Sequence, residues 1–374
     1  MAIVSQEDTR PDVQFFLGLA AQRTNHAADA RTAYRRVLDQ DSSYHSAIFN
    51  SLLLCTSNED TPFLEYVAPF VDQYSEDQAD EKEELTHALT SARQRCEDKN
   101  VAKRKAIRAE LSKYPPLLEH EVEPKDISLR AAIALMALFR CGSAEPEDDE
   151  ILPFEGSALP FSPVVSGRRI LFDLLKTGLV AVHPETSLDA FSVEDDSVRG
   201  WRLGRIKWAL SRACGPLMDK LRSLNGTVPE SWRHDIQTQA LEIARGEVCA
   251  YLNFLAEERG WPEPRDTEEL ADLARALVNE LPVAQAFHLS YLGAMSASDY
   301  KQKYPVSAQQ AADMLIKRTG QRLESVREGR FPARSYDRPW KLPRSAVSFA
   351  LWGTILNRED DGFSHRISDL MAGL

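Results

Sequence analysis

Residues 13–38 read VQFFLGLAAQRTNHAADARTAYRRVL, and this stretch carries the clearest structural pattern in the chain. Apolar and small residues recur at helical spacing on both sides of Asn25, which favours two helices joined by a tight reversal. Gly18 and Ala30 are small where two helix backbones approach closely, and Tyr34 supplies bulk between them. The residues that form the pattern are Leu17, Gly18, Ala21, Ala30, Tyr34 and Leu38. We therefore predict an αα-hairpin near the N-terminus.

This pattern resembles one tetratricopeptide repeat, because the residues fall in the 34-residue register of that family. The positions that carry the resemblance are Leu17, Gly18, Ala30, Tyr34 and Leu38. The positions that depart from the family pattern are Gln14, Ala21 and Ser42. The resemblance implies a stack of helical repeats with a concave surface that holds a peptide or a partner protein. The alternative is a generic αα-hairpin that packs on the next domain.

Continuing the same register predicts a second helix pair at residues 45–55 and 61–74. A repeat stack needs about three repeats to bury a continuous core. We therefore expect later helices to complete it, and the candidates are a charged helix over residues 79–113 and an apolar helix over residues 127–139.

The composition is that of a folded chain of 374 residues, a length that predicts two or three packed units. The formal net charge of −12 argues against attraction of the whole surface to nucleic acid or to an anionic membrane. The five cysteines are far apart and lack the paired spacing of a zinc or redox site, so we expect buried free thiols. No cofactor and no metal ligand set is predicted.

The first residues lack the pattern of a secretory signal, and no apolar run approaches the roughly 20 residues that cross a bilayer. We therefore expect a cytoplasmic protein without a membrane contact.

An acidic loop is expected over residues 143–155, which read SAEPEDDEILPFE and include six acidic residues, two prolines and no Lys or Arg. Like charges and prolines disfavour regular structure, so a solvated loop or a domain boundary is predicted. The alternative is a metal site on Glu147, Asp148, Asp149 and Glu150, but nothing in the pattern fixes those carboxylates in one geometry.

A helix, a glycine and a hairpin follow in the order typical of the end of a winged helix. The amphipathic helix is predicted over residues 167–176 and would end at Gly178. Strands at 179–183 and 190–193 would pair through the turn at 184–189. The helix would offer DNA three basic residues, which are Arg168, Arg169 and Lys176.

The chain from Trp201 onward predicts helices in succession. Apolar stripes at residues 236–255 and 270–281 indicate two long helices, and Ser307 with Gln310 has the spacing of a capping box.

The predicted fold is therefore mainly α and has three parts. Residues 1–120 form a helical-repeat region similar to the tetratricopeptide family. Residues 121–200 form a winged-helix-like domain with a short β-hairpin and the acidic loop. Residues 201–374 form a C-terminal helical domain.

A basic segment at residues 317–344 is the best candidate for a nucleic-acid contact in this acidic chain. It contains nine basic and three acidic residues, interleaved with aromatic residues and prolines that predict an extended backbone after Phe331. Guanidinium groups bind phosphates and aromatic faces stack on bases. The candidate nucleic-acid-binding residues are Lys317, Arg318, Arg322, Arg327, Arg330, Arg334, Arg338, Lys341 and Arg344.

Two other interpretations of this segment stay open. The arginines can pair with carboxylates of the same protein and hold helices together, or they can bind an acidic protein partner.

Catalytic patterns are weak in this sequence. The Gly-rich phosphate loop, the nucleophile elbow and the two-histidine metal helix are all absent from it. Arg358 and His365 are separated by six residues and lie near Asp360 and Asp361, and these four residues are the candidates for a nuclease site or a metal site. We expect a protein that is not an enzyme, with the nuclease as an alternative.

The function that these observations favour is a non-enzymatic adaptor, a subunit of a multiprotein assembly that binds a protein partner through its helical repeats. This hypothesis includes a possible nucleic-acid contact through the basic segment. The assembly that we expect is a bacterial regulatory or genome-defence complex. The alternatives are a DNA- or RNA-binding regulator that uses the winged-helix-like unit, and the C-terminal nuclease. No small-molecule substrate is predicted.

Overall fold

The fold is mainly α, as predicted, in a computed structural model that has fifteen α-helices and five short strands in the described chain. The described residues are 10–56, 60–74, 78–145, 147–163, 166–264 and 267–372. The chain divides into two compact units. The first unit consists of Met1–Lys113 and Ser187–Arg202, and the second of Tyr114–Thr186 and Leu203–Leu374.

Five helices with regularly spaced starts build the first unit. They are α1 (Pro11–Arg23), α2 (Ala27–Gln40), α3 (His45–Leu54), α4 (Thr61–Asp72) and α5 (Ala79–Leu111). The first residues of α1, α3 and α5 are 34 positions apart, and so are those of α2 and α4. The second helix pair therefore lies where the continued register predicts it.

The α1–α2 hairpin forms because small residues let its two helices approach. A Cβ atom added to Gly18 would lie 2.5 Å from the ring of Tyr34, so only glycine fits there without a shift of the ring. The Tyr34 hydroxyl donates a hydrogen bond of 2.8 Å to Oε1 of Gln22. Asn25 reverses the chain with a φ of 65°, in the left-handed region that Asn tolerates better than most residues. The predicted roles of Gly18 and Asn25 are confirmed.

Helices α2 to α5 share one apolar core, in which Tyr34, Ile48, Leu52 and Leu85 are buried. Polar side chains also connect successive helices. The Tyr66 hydroxyl of α4 donates a hydrogen bond to the carboxylate of Asp39 in α2 at 2.6 Å, as part of the same stack.

The second unit contains the remaining ten helices. They are α6 (Leu129–Gly142), α7 (Ser166–Leu175), α8 (Cys214–Arg222), α9 (Glu230–Glu257), α10 (Thr267–Glu280), α11 (Val283–Lys303), α12 (Ala308–Arg327), α13 (Ala346–Ser348), α14 (Asp361–Ser364) and α15 (Ile367–Met371). A π-helical stretch, Phe349–Ile355, directly follows α13.

The strands form two small antiparallel sheets. They are β1 (Glu150–Ile151), β2 (Val180–Val182), β3 (Phe191–Glu194), β4 (Ser197–Trp201) and β5 (Trp208–Leu210). In the second unit, β5 lies between β1 and β2. In the first unit, β3 pairs with β4 and both strands contact α5.

The predicted pairing of residues 179–183 with 190–193 is wrong. The first strand forms as β2 but pairs with β5, and the second forms as β3 but pairs with β4. Asp195 and Asp196, with φ values of 49° and 55°, make the tight turn of the actual hairpin. A two-residue turn of this kind matches the twist of its strands, which the longer 184–189 connection does not. The amphipathic helix predicted before Gly178 is present as α7.

The acidic loop is not irregular throughout. Residues Glu150 and Ile151 form β1, because Ile151 is fully buried and Lys207 neutralises the Glu150 carboxylate at 2.8 Å. Position 146 of this loop lies outside the described residues. The described part of the chain contains no group of three or more His, Cys, Asp or Glu side chains that could hold a metal ion.

The helices of the second unit pack through the predicted apolar stripes. Helix α9 contacts α10, α11 and α12, and the rings of Tyr251 and Phe287 stack with centroids 3.9 Å apart. The capping box predicted at Ser307 and Gln310 is present at the start of α12. In α11, Gly293 lies so close to Thr319 that an added Cβ would meet its side chain at 2.2 Å.

The cysteines are free thiols, and Cys55, Cys96, Cys141 and Cys214 are buried. Burial raises the pKa of Cys55, Cys141 and Cys214 to about 12, so these thiols stay protonated at neutral pH. Among the described helices, none combines the length and the apolar character that crossing a membrane requires.

Candidate functional site

The basic segment, residues 317–344, has two structural parts. Its first part lies on α12, and its second part, after Glu328, contains no helix or strand. Backbone groups anchor the second part: the Arg334 amide donates to Nδ1 of His288 at 3.1 Å, and the Tyr336 amide donates to the Ala284 carbonyl at 3.0 Å. The extended backbone predicted after Phe331 therefore runs along α11.

Aromatic side chains of the segment stack on α11. The ring of His288 stacks on Phe331 and on Tyr336, with centroid distances of 5.8 and 6.2 Å. Tyr336 also stacks on Tyr291 at 5.2 Å. Two of the three aromatic faces that the sequence offers to bases are thus engaged within the protein, whereas Trp340 is 86% exposed.

The basic segment contains one strongly buried ion-pair network, the Arg338 cluster, which consists of Glu247, Arg338, Arg344 and Asp360. Arg338 Nη2 donates to Oε2 of Glu247 at 2.9 Å, and Arg338 Nε donates to Asp360 at 3.3 Å. Arg344 Nε lies 3.2 Å from the Asp360 carboxylate. The Glu247 side chain is 5% exposed and that of Arg338 is 15% exposed, so this pair is shielded from water, whereas the Asp360 side chain is 37% exposed.

Burial shapes the proton affinity of the Arg338 cluster. Burial raises the pKa of the Glu247 carboxyl, although Arg338 opposes the rise. Burial also disfavours the charge on Arg338, but Glu247 and Asp360 outweigh it and raise the pKa of that guanidinium. The Arg344 guanidinium has a lowered pKa, mainly because of burial. Each guanidinium in the cluster therefore depends on its carboxylate partners.

The Arg338 cluster has no room for a substrate. The cavity beside Glu247 and Arg338 has a volume of about 60 Å³. Pockets for small organic ligands usually measure roughly 300–1,000 Å³. The guanidinium of Arg338 also lies over the ring of Phe363, 4.1 Å from its centroid. This arrangement suits a structural ion-pair network.

Outside the cluster, the basic side chains make exposed pairs. Arg327 pairs with Glu280 and with Glu324, and Lys341 pairs with Glu258 at 2.9 Å. Ion pairs at exposed positions stabilise a protein by about 0–1 kcal/mol, so they can exchange for an external phosphate at little cost.

The other basic residues of the segment make the following contacts: Arg330 pairs with Glu328, Arg318 hydrogen-bonds Gln321, and Arg322 hydrogen-bonds Ser296. Within the described residues, only Lys317 and Arg334 of the nine make no side-chain hydrogen bond or ion pair. Carboxylates of the second unit therefore pair with five of the nine basic residues of the segment.

The weak catalytic candidates near the C-terminus make structural contacts. Asp360 belongs to the Arg338 cluster, and Arg358 Nη1 donates to the Leu370 carbonyl at 3.3 Å. His365 Nδ1 lies 3.7 Å from an Asp361 oxygen, and the His365 side chain is 61% exposed. The nuclease hypothesis stays a prediction.

Sequence reasoning missed the acidic partners of the arginines. Glu247 lies on an apolar stripe of α9, where the pattern predicts only core packing, and it is 91 positions from Arg338. A charged residue on an otherwise apolar helix face is the one local signal of a buried ion pair.

No family model, no curated protein and no solved structure matches this chain.

Proposed function

We propose that the protein is a non-enzymatic adaptor, a subunit of a larger assembly that binds a protein partner on the side formed by α1, α3 and α5. The observation that carries this proposal is the exposure of large apolar side chains on α1 and α3. Phe16 is 63% exposed and Leu53 is 43% exposed. Exposed apolar side chains grouped on one surface are typical of protein-binding sites.

The helix register assigns the two side chains to similar faces of α1 and α3. Phe16 is the sixth residue of α1, and Leu53 is the ninth residue of α3. Because a helix turns roughly 100° per residue, these positions lie roughly 60° apart around equivalent helix axes. Helices α1 and α3 contact each other, so the two apolar side chains can engage the same partner.

The charge around this apolar surface indicates the partner's chemistry. Five exposed carboxylates stand at the beginning of α1 and in the first two turns of α5: Asp12, Asp80, Glu81, Glu83 and Glu84. Glu84 is the sixth residue of α5 and thus the register equivalent of Phe16. Complementary charge speeds and orients association. The proposed partner is a polypeptide segment with apolar side chains flanked by Lys or Arg.

The regular helix spacing supports a repeat of the tetratricopeptide type. The 34-residue period extends the register assigned from Leu17, Gly18, Ala30, Tyr34 and Leu38 across α1 to α5. In such a stack the first helix of each pair contributes to one continuous surface.

Site-specific photo-crosslinking in cells tests the adaptor proposal. A photoreactive phenylalanine replaces Phe16 in one variant and Leu53 in another, and the control variant carries it at Val101, which is 54% exposed on α5. We expect positions 16 and 53 to form an adduct with the same protein. The adduct from position 16 should disappear when Leu53 is changed to Asp, and the adduct from position 53 should disappear when Phe16 is changed to Asp. Adducts of equal yield and identity at position 101, or none at positions 16 and 53, contradict the proposal.

A secondary contact with nucleic acid through residues 327–344 is favoured by one observation, the 86% exposure of Trp340 beside Lys341. Binding of labelled DNA and RNA across a salt series tests it, with Arg327, Arg330 and Arg334 changed to Ala. Arg338 is left unchanged because its removal leaves the buried Glu247 carboxylate without its ion-pair partner. Salt-sensitive binding that disappears in the variant supports the contact; unchanged binding excludes this segment.

The alternative of a DNA- or RNA-binding regulator that uses the winged-helix-like unit stays a prediction, because the pairing of β2 with β5 changes which strands flank the connection after α7 and does not test a contact with DNA. The nuclease hypothesis is tested by His365→Ala: any cleavage activity that survives this change excludes a role for the C-terminal residues.

A further inference from the structure

A cleft of about 550 Å³ lies within the first unit, between α5 and the β3–β4 hairpin. This volume falls within the range of small-molecule sites. The cleft is separate from the Phe16 and Leu53 side chains, which do not line it. It is therefore a second candidate site, independent of the proposed protein-binding face.

Three cationic side chains line the cleft. Lys99 and Lys103 are four residues apart on α5 and share one face of the helix, and Arg202 directly follows β4. The Arg202 amide donates to the Ala190 carbonyl at 2.7 Å, which fixes the backbone that carries this arginine. Within the described residues, none of the three side chains makes an ion pair or a side-chain hydrogen bond.

This lack of partners contrasts with other cations of the chain. Arg31 of the first unit pairs with the buried Asp60, and most basic residues of the segment 317–344 pair with carboxylates. Three unpaired cations on one concave surface repel each other, and an anion placed between them relieves that repulsion.

A buried amide gives the cleft a further polar group. Asn100 lines the cleft, is only 8% exposed, and its Oδ1 atom has no hydrogen-bond partner among the described residues. Buried polar atoms are nearly always hydrogen-bonded in folded proteins, so an unpartnered one calls for a donor. Val193, which is half-buried, supplies an apolar surface in the same cleft.

Carboxylates lie at the hairpin turn. Asp195 and Asp196 line the cleft and are exposed, and their left-handed conformations hold them in the tight β3–β4 turn. Among the described residues, Asp189, before β3, is the third carboxylate of the lining, and none of the three forms an ion pair with the three cationic side chains of the cleft. Carboxylates accept hydrogen bonds from hydroxyl and amino groups. The cleft thus offers cations for an anionic group and acceptors for neutral donor groups.

We propose that this cleft binds a phosphate-bearing small molecule of nucleotide size. A diphosphate carries enough negative charge to engage Lys99, Lys103 and Arg202 together, whereas a single carboxylate does not. The apolar part of the ligand would pack on Val193, and its hydroxyl or amino groups would reach Asp195 and Asp196. This site goes beyond the proposed adaptor function, because it adds the binding of a small-molecule ligand to the binding of a protein partner.

Calorimetric titration of the full-length protein tests the proposal, with adenosine diphosphate, inorganic pyrophosphate, adenosine and glutamate as probes. We expect saturable binding of one molecule of adenosine diphosphate per chain. Pyrophosphate alone binding as tightly would assign the site to free phosphate compounds rather than to nucleotides, and both results support a phosphate site. Adenosine or glutamate binding as tightly as both phosphate probes contradicts it.

Charge-matched variants locate the binding. Lys99→Gln with Lys103→Gln removes the two cleft lysines, and Lys105→Gln with Arg108→Gln removes two exposed cations of the same helix that do not line the cleft. We expect the first variant to bind the phosphate probe about tenfold or more weakly and the second to bind it nearly as the parent does. Equal losses in both variants, or no saturable binding by the parent protein at about 1 mM probe, overturn the proposal.

Asn100→Asp provides an independent variant, since it adds a negative charge to the wall without removing a cation. We expect it to weaken binding of the phosphate probe while the first unit, which holds the cleft, stays folded in a thermal unfolding scan. A Phe16→Asp variant should bind the probe as the parent does. That result separates this site from the partner-binding face, so either proposal can fail without the other.

Discussion

The α1–α4 stack and the basic segment are ordered by different kinds of contact. In the stack, Gly18 meets Tyr34 across one hairpin, and helix starts recur every 34 residues. In the basic segment, Arg338 finds its partners 91 positions before it and 22 positions after it. The stack depends on close packing between neighbours in sequence, whereas the basic segment depends on electrostatic contacts between distant parts of the chain.

The largest effect is expected when the buried ion pair between Arg338 and Glu247 is removed. Arg338→Met leaves the buried Glu247 carboxylate without its partner, and breaking a buried ion pair in this way costs about 3–5 kcal/mol. We expect chemical denaturation to report a loss of that size in the free energy of unfolding of the second unit. The matched control is Arg330→Met, because Arg330 is exposed and pairs with the exposed Glu328.

The control should change the free energy of unfolding by no more than about 0.5 kcal/mol. If both variants lose the same amount, the stability of the segment does not depend on the buried network, and the contrast between the two regions fails.

The second-largest effect is expected from overpacking the contact between Gly18 and Tyr34. Gly18→Ala places a methyl group 2.5 Å from the Tyr34 ring, and overpacking of this kind costs about 1–3 kcal/mol. Gly320→Ala is the control, because an added Cβ in α12 meets its nearest neighbour, Leu273, only at 3.9 Å. There the better helix propensity of alanine should stabilise the protein by up to about 1 kcal/mol.

Thermal unfolding of the two alanine variants should therefore shift in opposite directions. A shift in the same direction would mean that α1 and α2 can separate slightly without losing their packing.

A smaller effect tests a local signal inside the second unit. The Ser307 hydroxyl accepts a hydrogen bond from the Gln310 amide at 3.1 Å, and the Gln310 side chain accepts one from the Ser307 amide at 2.9 Å. Ser307→Ala should cost about 1 kcal/mol of unfolding free energy. Ser325→Ala, at a half-buried position in the last turns of the same helix and outside the cap, should change the midpoint of denaturation less than Ser307→Ala does.

The smallest effect is a pH dependence at His288. Burial, together with Arg334, lowers the pKa of His288 in the folded protein, and its Nδ1 accepts the Arg334 amide only while unprotonated. The unfolded chain therefore binds a proton at a higher pH than the folded one. The contribution of His288 is fully present above its ordinary pKa of 6.5 and is lost as the pH falls through the folded value.

Denaturation of His288→Asn and the parent from pH 7.5 to 5.0 measures this dependence, and the variant should show the shallower loss of stability. Equal slopes would show that the aromatic stack tolerates a protonated ring.

The sequence predicts the elements that local chemistry specifies. Asn25 has the left-handed conformation expected from its place between two apolar stripes, and Ser307 caps α12 as its spacing with Gln310 indicates. These predictions succeed because the residues that decide them lie within one or two helical turns. Burial of free cysteines follows equally from composition.

Pairings between distant segments are not written in local patterns. Val180–Val182 is a good strand wherever it pairs, and nothing within ten residues distinguishes β5 from β3 as its partner. Likewise, the sequence of the segment 317–344 shows nine basic residues without nearby partners. Three of them pair with Glu247, Glu258 and Glu280, which lie far away in sequence on α9, at its C-terminal flank and on α10. The cleft beside Lys99 and Lys103 could not be predicted, because its other wall comes from the β3–β4 hairpin.

The hairpin has a consequence for how the protein is made. The first unit consists of Met1–Lys113 together with Ser187–Arg202, so its last piece follows 73 residues of the second unit in the chain. During synthesis, α1 to α5 leave the ribosome first but must wait for residues 187–202 before the unit is complete. A gene truncated after Lys113 would therefore encode an unfinished unit, and a chaperone that holds nascent chains would find its substrate in that interval.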